Sequence, residues 1–102
     1  MARFDIYKTN RGPYPLVIDV QADLLSELDT RVVIPLAKPD GRADQIAPRL
    51  FPVITIDGTD YLLMTSEVAT RPVRAFKSPV GNIEAEHRDA ITAAMDFLFQ
   101  GY

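Results

Sequence analysis

The sequence predicts a mainly β protein, with an antiparallel sheet of about five or more strands and one carboxy-terminal α-helix. Short alternating or apolar runs, separated by turn residues, fill most of the chain. After residue 82 the apolar spacing changes from the period of a strand to that of a helix. With 102 residues, the chain is expected to form one domain, residues 1–102, around one core.

Two strands are predicted near the amino terminus. Phe4, Ile6 and Tyr7 stand among polar neighbours, as expected of a half-buried strand. Residues 8–13 contain Asn, Gly and Pro, which favour a turn. The apolar run over residues 16–20 predicts the second strand.

A third strand is predicted over residues 31–36, where a continuous apolar run indicates burial on both faces of the sheet. Pro35 marks a bend or an edge, because proline cannot donate to a strand ladder. Residues 37–47 are rich in Lys, Pro, Asp, Gly and Arg without any periodicity, so an exposed loop is expected there.

A β-hairpin is predicted around Asp57-Gly58, between apolar runs at residues 53–56 and 61–64. Both central residues of a tight hairpin turn need positive φ, which Gly supplies freely and Asp tolerates. A further short strand is expected over residues 73–76, after Thr70-Arg71-Pro72.

The helix is predicted to begin after Asn82 and to run almost to the last residue. Asn82 suits the cap position, and Glu84 and Glu86 suit the positive end of the helix dipole. The apolar positions with helical spacing are expected to form a packing face: Ala90, Ile91, Ala94, Met95, Leu98 and Phe99.

Composition excludes several classes of function. The net charge of −3 would on average repel a phosphate backbone, so direct nucleic-acid binding is not expected. The chain has no cysteine, which rules out disulfides and thiolate metal sites and suits a reducing compartment. No segment approaches the roughly 18 apolar residues of a membrane span, and we expect a cytoplasmic protein without membrane contact.

The sequence offers little for catalysis. His87 lies among charged residues near the helix start and is interpreted as part of a solvated helix face. The pairs Asp19 with Asp23 and Asp57 with Asp60 are interpreted as structural, because Asp is favoured for local hydrogen bonding in turns. Neither a metal-binding cluster nor a glycine-rich phosphate loop is present, so no catalytic residue, metal or cofactor is expected.

Four segments, in order along the chain, carry a resemblance to a known family. They are IDVQADLL at residues 18–25, TRVVIPL at residues 30–36, LFPVITI at residues 50–56, and LMT at residues 63–65 followed by Val73. Together they resemble the CcdB family of bacterial toxins over nearly the whole chain.

The resemblance implies a toxin of a type II toxin-antitoxin system that acts by binding and not by catalysis. Such a toxin binds and poisons the A subunit of DNA gyrase and is neutralised by a cognate CcdA-like antitoxin. The resemblance also implies an SH3-like barrel and a symmetric homodimer. Toxin and antitoxin together would repress transcription of their own operon, with the antitoxin supplying the DNA-binding domain.

The resemblance assigns gyrase binding to the last three residues, Gln100, Gly101 and Tyr102. In the family these positions hold a Trp that stacks on a gyrase arginine, a Gly, and an aliphatic residue, so only Gly101 matches. Gln100 has an amide that can hydrogen-bond but no ring to stack. We therefore expect weaker poisoning than in a Trp-bearing relative, unless Tyr102 takes over the contact.

Antitoxin recognition in the family uses an acidic, largely disordered tail that folds on binding. The loops placed to receive it are residues 8–13 and 40–49. They bring four basic residues, namely Lys8, Arg11, Arg42 and Arg49. Ordinary solvated loop charges are the alternative interpretation of these four.

Two alternatives remain open. One is a homologue with the CcdB fold that binds its antitoxin but poisons gyrase weakly or not at all. The other is a ribonuclease toxin of the MazF and Kid type, which shares the barrel and could use Thr65, Ser66 and Arg71. Against the ribonuclease, the motifs keep the CcdB order, and the glycine-rich strand entry of those enzymes has no counterpart at the amino terminus.

Overall fold

The structure is a computed structural model that describes residues 1–9, 12–39 and 47–101. Within these residues, the predicted mainly β fold with one terminal helix is confirmed. The strands are β1 (Asp5–Lys8), β2 (Leu16–Asp19), β3 (Thr30–Ala37), β4 (Val53–Ile56), β5 (Thr59–Leu63), β6 (Ala69–Pro72) and β7 (Gly81–Asn82), and the helix is α1 (Glu84–Gln100).

The described strands form one antiparallel sheet in the order β4-β5-β3-β2-β1-β7, with β6 paired to β3. β3 is the central strand, because β2 pairs along one edge while β6 and then β5 pair along the other. β4 and β7 lie at the two ends of this order and do not pair with each other within the described ranges. The sheet is therefore an open, curled half-barrel, which fits the predicted barrel-like architecture.

One face of the sheet carries the hydrophobic core. Ile6, Ile18 and Ile34 lie directly opposite one another on β1, β2 and β3, and each is almost completely buried. Ile91 and Ala94 of α1 are fully buried in the same cluster. Burial of each isoleucine is worth about 1.5 to 3 kcal/mol, so this packing fixes the helix against the sheet.

The opposite face of the same strands buries an ion pair. Asp19 on β2 is 0% exposed and Arg31 on β3 is 1% exposed. Arg31 Nε donates to Asp19 Oδ2 at 2.8 Å. Arg31 Nη2 lies 2.6 Å from the same oxygen, so two nitrogens of the guanidinium face the carboxylate. Burial raises the pKa of the Asp19 carboxyl, while hydrogen bonds from Arg31 and from the Gln21 amide oppose that rise.

Tyr7 on β1 extends this buried polar group. Its hydroxyl donates to Asp5 Oδ2 at 3.3 Å, and its ring packs on Phe76 with centroids 5.1 Å apart. Burial, together with the neighbouring Asp5 carboxylate, raises the pKa of Tyr7 to about 12. Phe76 thus covers the ring of Tyr7 on this face of the sheet.

The prediction that Pro35 marks a bend or an edge is wrong, because Pro35 lies inside the central strand. Its partner on β2 is Val17. Hydrogen-bonded and non-hydrogen-bonded pairs alternate along an antiparallel ladder, and the Val20 N–H bonds to the Val32 carbonyl, three pairs further along. The Val17–Pro35 pair is therefore a non-hydrogen-bonded one. The missing N–H of Pro35 therefore faces the other edge, where the pairing passes from β6 to β5. The Pro35 carbonyl is used there, by the Met64 N–H at 2.9 Å.

The strand predicted over residues 73–76 is also wrong. The actual strand, β6, lies directly before residue 73. Its ladder with β3 ends where the Val73 N–H donates to the Asp29 carbonyl. Val73–Ala75 then forms a 3-10 helix, closed by the Phe76 N–H on the Val73 carbonyl. This turn directs Phe76 onto Tyr7.

The predicted hairpin is confirmed, whereas the residue at the cap position of α1 is Ile83 and not the predicted Asn82, which lies one residue earlier. Asp57 has φ 50° and Gly58 has φ 79°, as a tight hairpin between β4 and β5 requires. Asn82 Oδ1 accepts the Glu84 N–H at 3.0 Å, so Asn82 satisfies a free donor at the start of α1, although Ile83 directly precedes the helix.

The buried ion pair predicts a strong coupling between its two residues. Asp19→Asn and Arg31→Met should each lower the free energy of unfolding by about 3 to 5 kcal/mol, because each leaves the other charge buried and uncompensated. The double variant should lose clearly less than the sum of the two. Urea unfolding of the wild type and the three variants measures this, and simply additive losses would contradict the coupling.

The buried tyrosine predicts a loss of stability in alkaline solution. Tyr7 has an ordinary pKa of 10.0 in the unfolded chain but keeps its proton to about pH 12 in the folded protein. Its contribution, about 2 to 3 kcal/mol, is therefore complete below pH 10 and lost as the pH rises to 12.

Tyr7→Phe should remove this part of the pH dependence, whereas Tyr14→Phe, outside the buried polar group, should keep it. Urea unfolding at several pH values between 9 and about 12 makes the comparison. An alkaline profile of Tyr7→Phe that matches the wild type would refute this origin of the pH dependence.

Candidate protein-binding surface at the end of the helix

The end of α1 has a defined backbone geometry. The helix ends at Gln100, and Gly101 adopts a left-handed conformation with φ 81°. The Gly101 N–H donates to the Phe97 carbonyl at 2.9 Å, which satisfies one of the last helical acceptors. Glycine suits this position because other residues are strained at positive φ. Gln100 is exposed, and Tyr102, the third residue of the predicted gyrase site, lies outside the described residues.

Phe99 lies next to this terminus, and its exposure was not predicted from the sequence. The helical spacing predicts it on the packing face with Ile91 and Ala94, yet it is 72% exposed while those two are buried. Met95 and Leu98 are half-buried, so the burial of the predicted packing face decreases along the last turns of α1. An exposed aromatic ring beside a chain terminus is a feature of protein-binding surfaces.

Arg49 is the predicted antitoxin residue that the structure brings to this terminus. Its guanidinium carbon lies 4.5 Å from the centroid of the Phe97 ring, a cation–π contact. The last turn of α1 carries no basic residue of its own. Arg49 therefore also supplies positive charge near the negative end of the helix dipole.

Lys8 is the other predicted antitoxin residue that the structure describes. Lys8 is exposed at the end of β1, and Arg11 and Arg42 lie outside the described residues. Beside the β1 end is an open groove of about 540 Å³. It is lined by Thr9, Gly12, Pro13, Tyr14, Pro15, Ala37 and Lys38. The groove thus lies between the residues that flank the first loop and those that precede the second.

A short 3-10 helix, Asp23–Leu25, presents further apolar side chains that the sequence analysis did not single out. Leu24 is 94% exposed, Leu25 50% and Leu28 52%. Three leucines in solvent within five positions form an apolar patch of the kind that protein partners cover. Their position in a turn, outside any periodic segment, was the signal that could have revealed them.

Three of the residues considered for catalysis, Thr65, Arg71 and His87, make local contacts. Thr65 is completely buried, with its hydroxyl directed to the Leu63 carbonyl, and so could not reach an RNA substrate. Arg71 Nη1 donates to the Thr70 carbonyl. The interpretation of His87 as fully solvated is wrong, because its side chain is 17% exposed and its Nε2–H donates to the Thr55 carbonyl at 3.1 Å, which ties α1 to β4.

The aspartate pairs are structural as predicted. Asp19 belongs to the buried ion pair, Asp23 accepts the Arg3 N–H, and Asp60 accepts the Thr55 hydroxyl. No group of three or more His, Cys, Asp and Glu side chains is placed to hold a metal ion in the described part of the chain. In the same residues, no helix has the length and apolar character needed to cross a membrane.

The chain was compared with models of protein families. The model of the CcdB protein family matches residues 3–101. The match includes both faces of the sheet, the whole of α1 and two of the three predicted gyrase-binding residues, Gln100 and Gly101.

Proposed function

We propose, because this chain belongs to the CcdB family of gyrase-inhibiting toxins from toxin-antitoxin systems, that it binds the A subunit of DNA gyrase through the end of α1. The surface consists of Phe99, Gln100, Gly101 and Tyr102. Binding would poison the enzyme by holding it on cleaved DNA. The toxin itself would perform no chemistry.

The exposure of Phe99 is the observation that supports this surface best. A phenylalanine that is 72% exposed forgoes most of the burial energy available to its ring. That energy becomes available on association, and aromatic side chains often dominate the binding energy of protein interfaces. Gly101 then ends the helix in a left-handed conformation, directly after the exposed Gln100.

Gln100 sets the expected strength of poisoning. Stacking of an indole ring on a guanidinium is worth about 0.5 to 2 kcal/mol, depending on desolvation. Gln100 can donate and accept hydrogen bonds but provides no ring. We therefore propose a working but weakened poison, in which Phe99 and Tyr102 supply the aromatic contacts.

The proposed antitoxin contacts are Lys8, Arg11, Arg42 and Arg49, which would receive an acidic segment. Arg49 is the informative member, because it stacks on Phe97, one helical turn before Gly101. An acidic peptide that engages Arg49 would lie against the gyrase-binding end of α1. This proximity supports a mechanism in which the antitoxin neutralises the toxin by occupying surface next to the gyrase-binding end of α1.

We also propose that the protein is a homodimer and that its complex with antitoxin represses its own operon. Some apolar side chains are exposed, such as Val53 at 44% and Leu28 at 52%, and a second protomer could bury them. Their exposure supports the dimer proposal. A two-fold toxin dimer would present two helix ends, one from each protomer, to the gyrase A dimer. The antitoxin would provide the DNA contacts.

One second candidate is favoured by a specific residue. Gln100 in place of the family's Trp also fits a homologue that keeps the fold and the antitoxin but has lost gyrase poisoning. The two candidates differ in a single measurable property, the trapping of cleaved DNA.

Purified protein incubated with gyrase, ATP and plasmid should accumulate linear DNA after detergent and protease treatment. Gln100→Trp should produce the same amount at a concentration about 2- to 30-fold lower, since it restores the stacking ring. Gln100→Ala is the matched control and should resemble the wild type. Linear DNA from Gln100→Trp but none from the wild type would support the second candidate, and none from either would contradict the gyrase proposal.

Gly101→Ala should weaken gyrase trapping with little change in thermal stability. A left-handed conformation costs a non-glycine residue about 1 to 2 kcal/mol, so the turn that ends α1 at this residue would be populated less. A Cβ at Gly101 meets no atom within 4 Å, so the effect is conformational and not a clash.

Gly12→Ala is the matched control for this test. Gly12 has φ 72° and equally open surroundings, but it lies far along the chain from α1. It should leave gyrase trapping unchanged. An equal loss of trapping in both variants, or no loss in either variant, would show that the turn at Gly101 does not direct the contact.

A further inference from the structure

One continuous segment, residues 47–56, contacts α1 at two points. Near the start of the helix, His87 Nε2–H donates to the Thr55 carbonyl of β4 at 3.1 Å. Near its end, the Arg49 guanidinium carbon lies 4.5 Å from the centroid of the Phe97 ring. The segment therefore reaches both the first half and the last turn of the helix.

The backbone that carries Arg49 forms a hydrogen-bonded turn. The Leu50 N–H and the Phe51 N–H both donate to the Ala47 carbonyl, at 3.0 and 2.9 Å. β4 begins shortly afterwards, at Val53. Because this backbone is already ordered, the Arg49 side chain loses less conformational entropy on stacking than it would from a free loop.

Phe97 connects this contact to the end of the helix. Its ring meets the Arg49 guanidinium, and its carbonyl accepts the Gly101 N–H at 2.9 Å. That hydrogen bond belongs to the left-handed turn in which Gly101, with φ 81°, ends α1. The residue that Arg49 contacts is therefore the residue that closes the terminal turn.

The other packing of α1 weakens at this point. Ala94 is fully buried, and the half-buried Met95 packs against the core. Phe99 is 72% exposed, and residues 100–101 are exposed as well. The ends of helices fray where buried contacts are few. A contact at Phe97 is therefore placed where it affects whether the last turn stays formed.

We propose that Arg49 is a positioning residue for gyrase binding, which keeps the last turn of α1 formed through its contact with Phe97. The residues presented in this way are Phe99, Gln100 and Gly101. This inference rests on the proposed gyrase function and adds to the antitoxin contact proposed for Arg49. A turn that is ordered before binding lowers the entropy cost of association, so Arg49 strengthens binding without touching gyrase itself.

The first test is made on the free protein. In ¹⁵N-labelled Arg49→Gln, the heteronuclear NOE of the amides of residues 97–101 should fall, while that of residues 84–91 stays as in the wild type. Arg49→Lys should give an intermediate fall, because it keeps the charge but loses the planar stacking group. Arg88→Gln is the matched control, since Arg88 is another exposed arginine, paired with Glu84 on α1. It should leave residues 97–101 unchanged.

Equal NOE changes in Arg49→Gln and Arg88→Gln, or no change in either, would overturn the proposal. A lower Tm of Arg49→Gln without any NOE change at residues 97–101 would also overturn it, because that result indicates a general loss of stability. Thermal unfolding followed by circular dichroism makes this comparison.

The second test is a double-mutant cycle on the affinity for the gyrase A subunit, measured by calorimetry. Arg49→Gln should raise the Kd about 2- to 5-fold, as expected for the loss of an exposed cation–π contact. In a Phe97→Leu background the same change should have little effect, because the ring through which Arg49 acts is absent. Additive losses would show that Arg49 contacts gyrase directly and would refute a positioning role.

The outcomes separate this inference from the function on which it rests. A wild-type protein that does not bind the gyrase A subunit would overturn the proposed function and this inference with it. A wild-type protein that binds, with a Kd that Arg49→Gln leaves unchanged, would overturn this inference alone.

Discussion

The buried ion pair between Asp19 and Arg31 is the constraint on which the sheet depends. It joins β2 to β3, and β3 is the strand that pairs with β2, β5 and β6. Two charges without access to water must compensate each other, and Arg31 and Asp19 do so directly. On the same face, after the chain leaves the β3 ladder at Val73, Phe76 packs on Tyr7.

The other face of the sheet determines how α1 can act. Ile91 and Ala94 bury the middle of the helix, and His87 bonds its first half to β4. The packing contacts then fade toward the carboxy terminus, where Phe99 is exposed and Gly101 ends the helix. A rigid helix with a free end suits recognition by a partner, since little order must be created on binding.

Local chemistry accounts for what the sequence predicted well. Asp57-Gly58 specifies its own turn, and Asn82 bonds to the first residue of α1, because each acts within a few residues. The Asp19–Arg31 pair escaped prediction because it depends on the register of two strands. Residues 73–76 were mistaken for a strand because Val and Phe favour strands, whereas the ladder had already ended. The exposure of Phe99 could not be foreseen because helical spacing does not say where the sheet beneath a helix stops.

The central claim is that the end of α1 is the surface that meets gyrase. Hydrogen–deuterium exchange of the protein with and without the gyrase A subunit tests it most directly. Protection of the amides of residues 97–101 on addition of gyrase, with the β4-β5 hairpin unchanged, is the predicted result. Binding that leaves those amides unprotected, or that protects only the hairpin, would contradict the account.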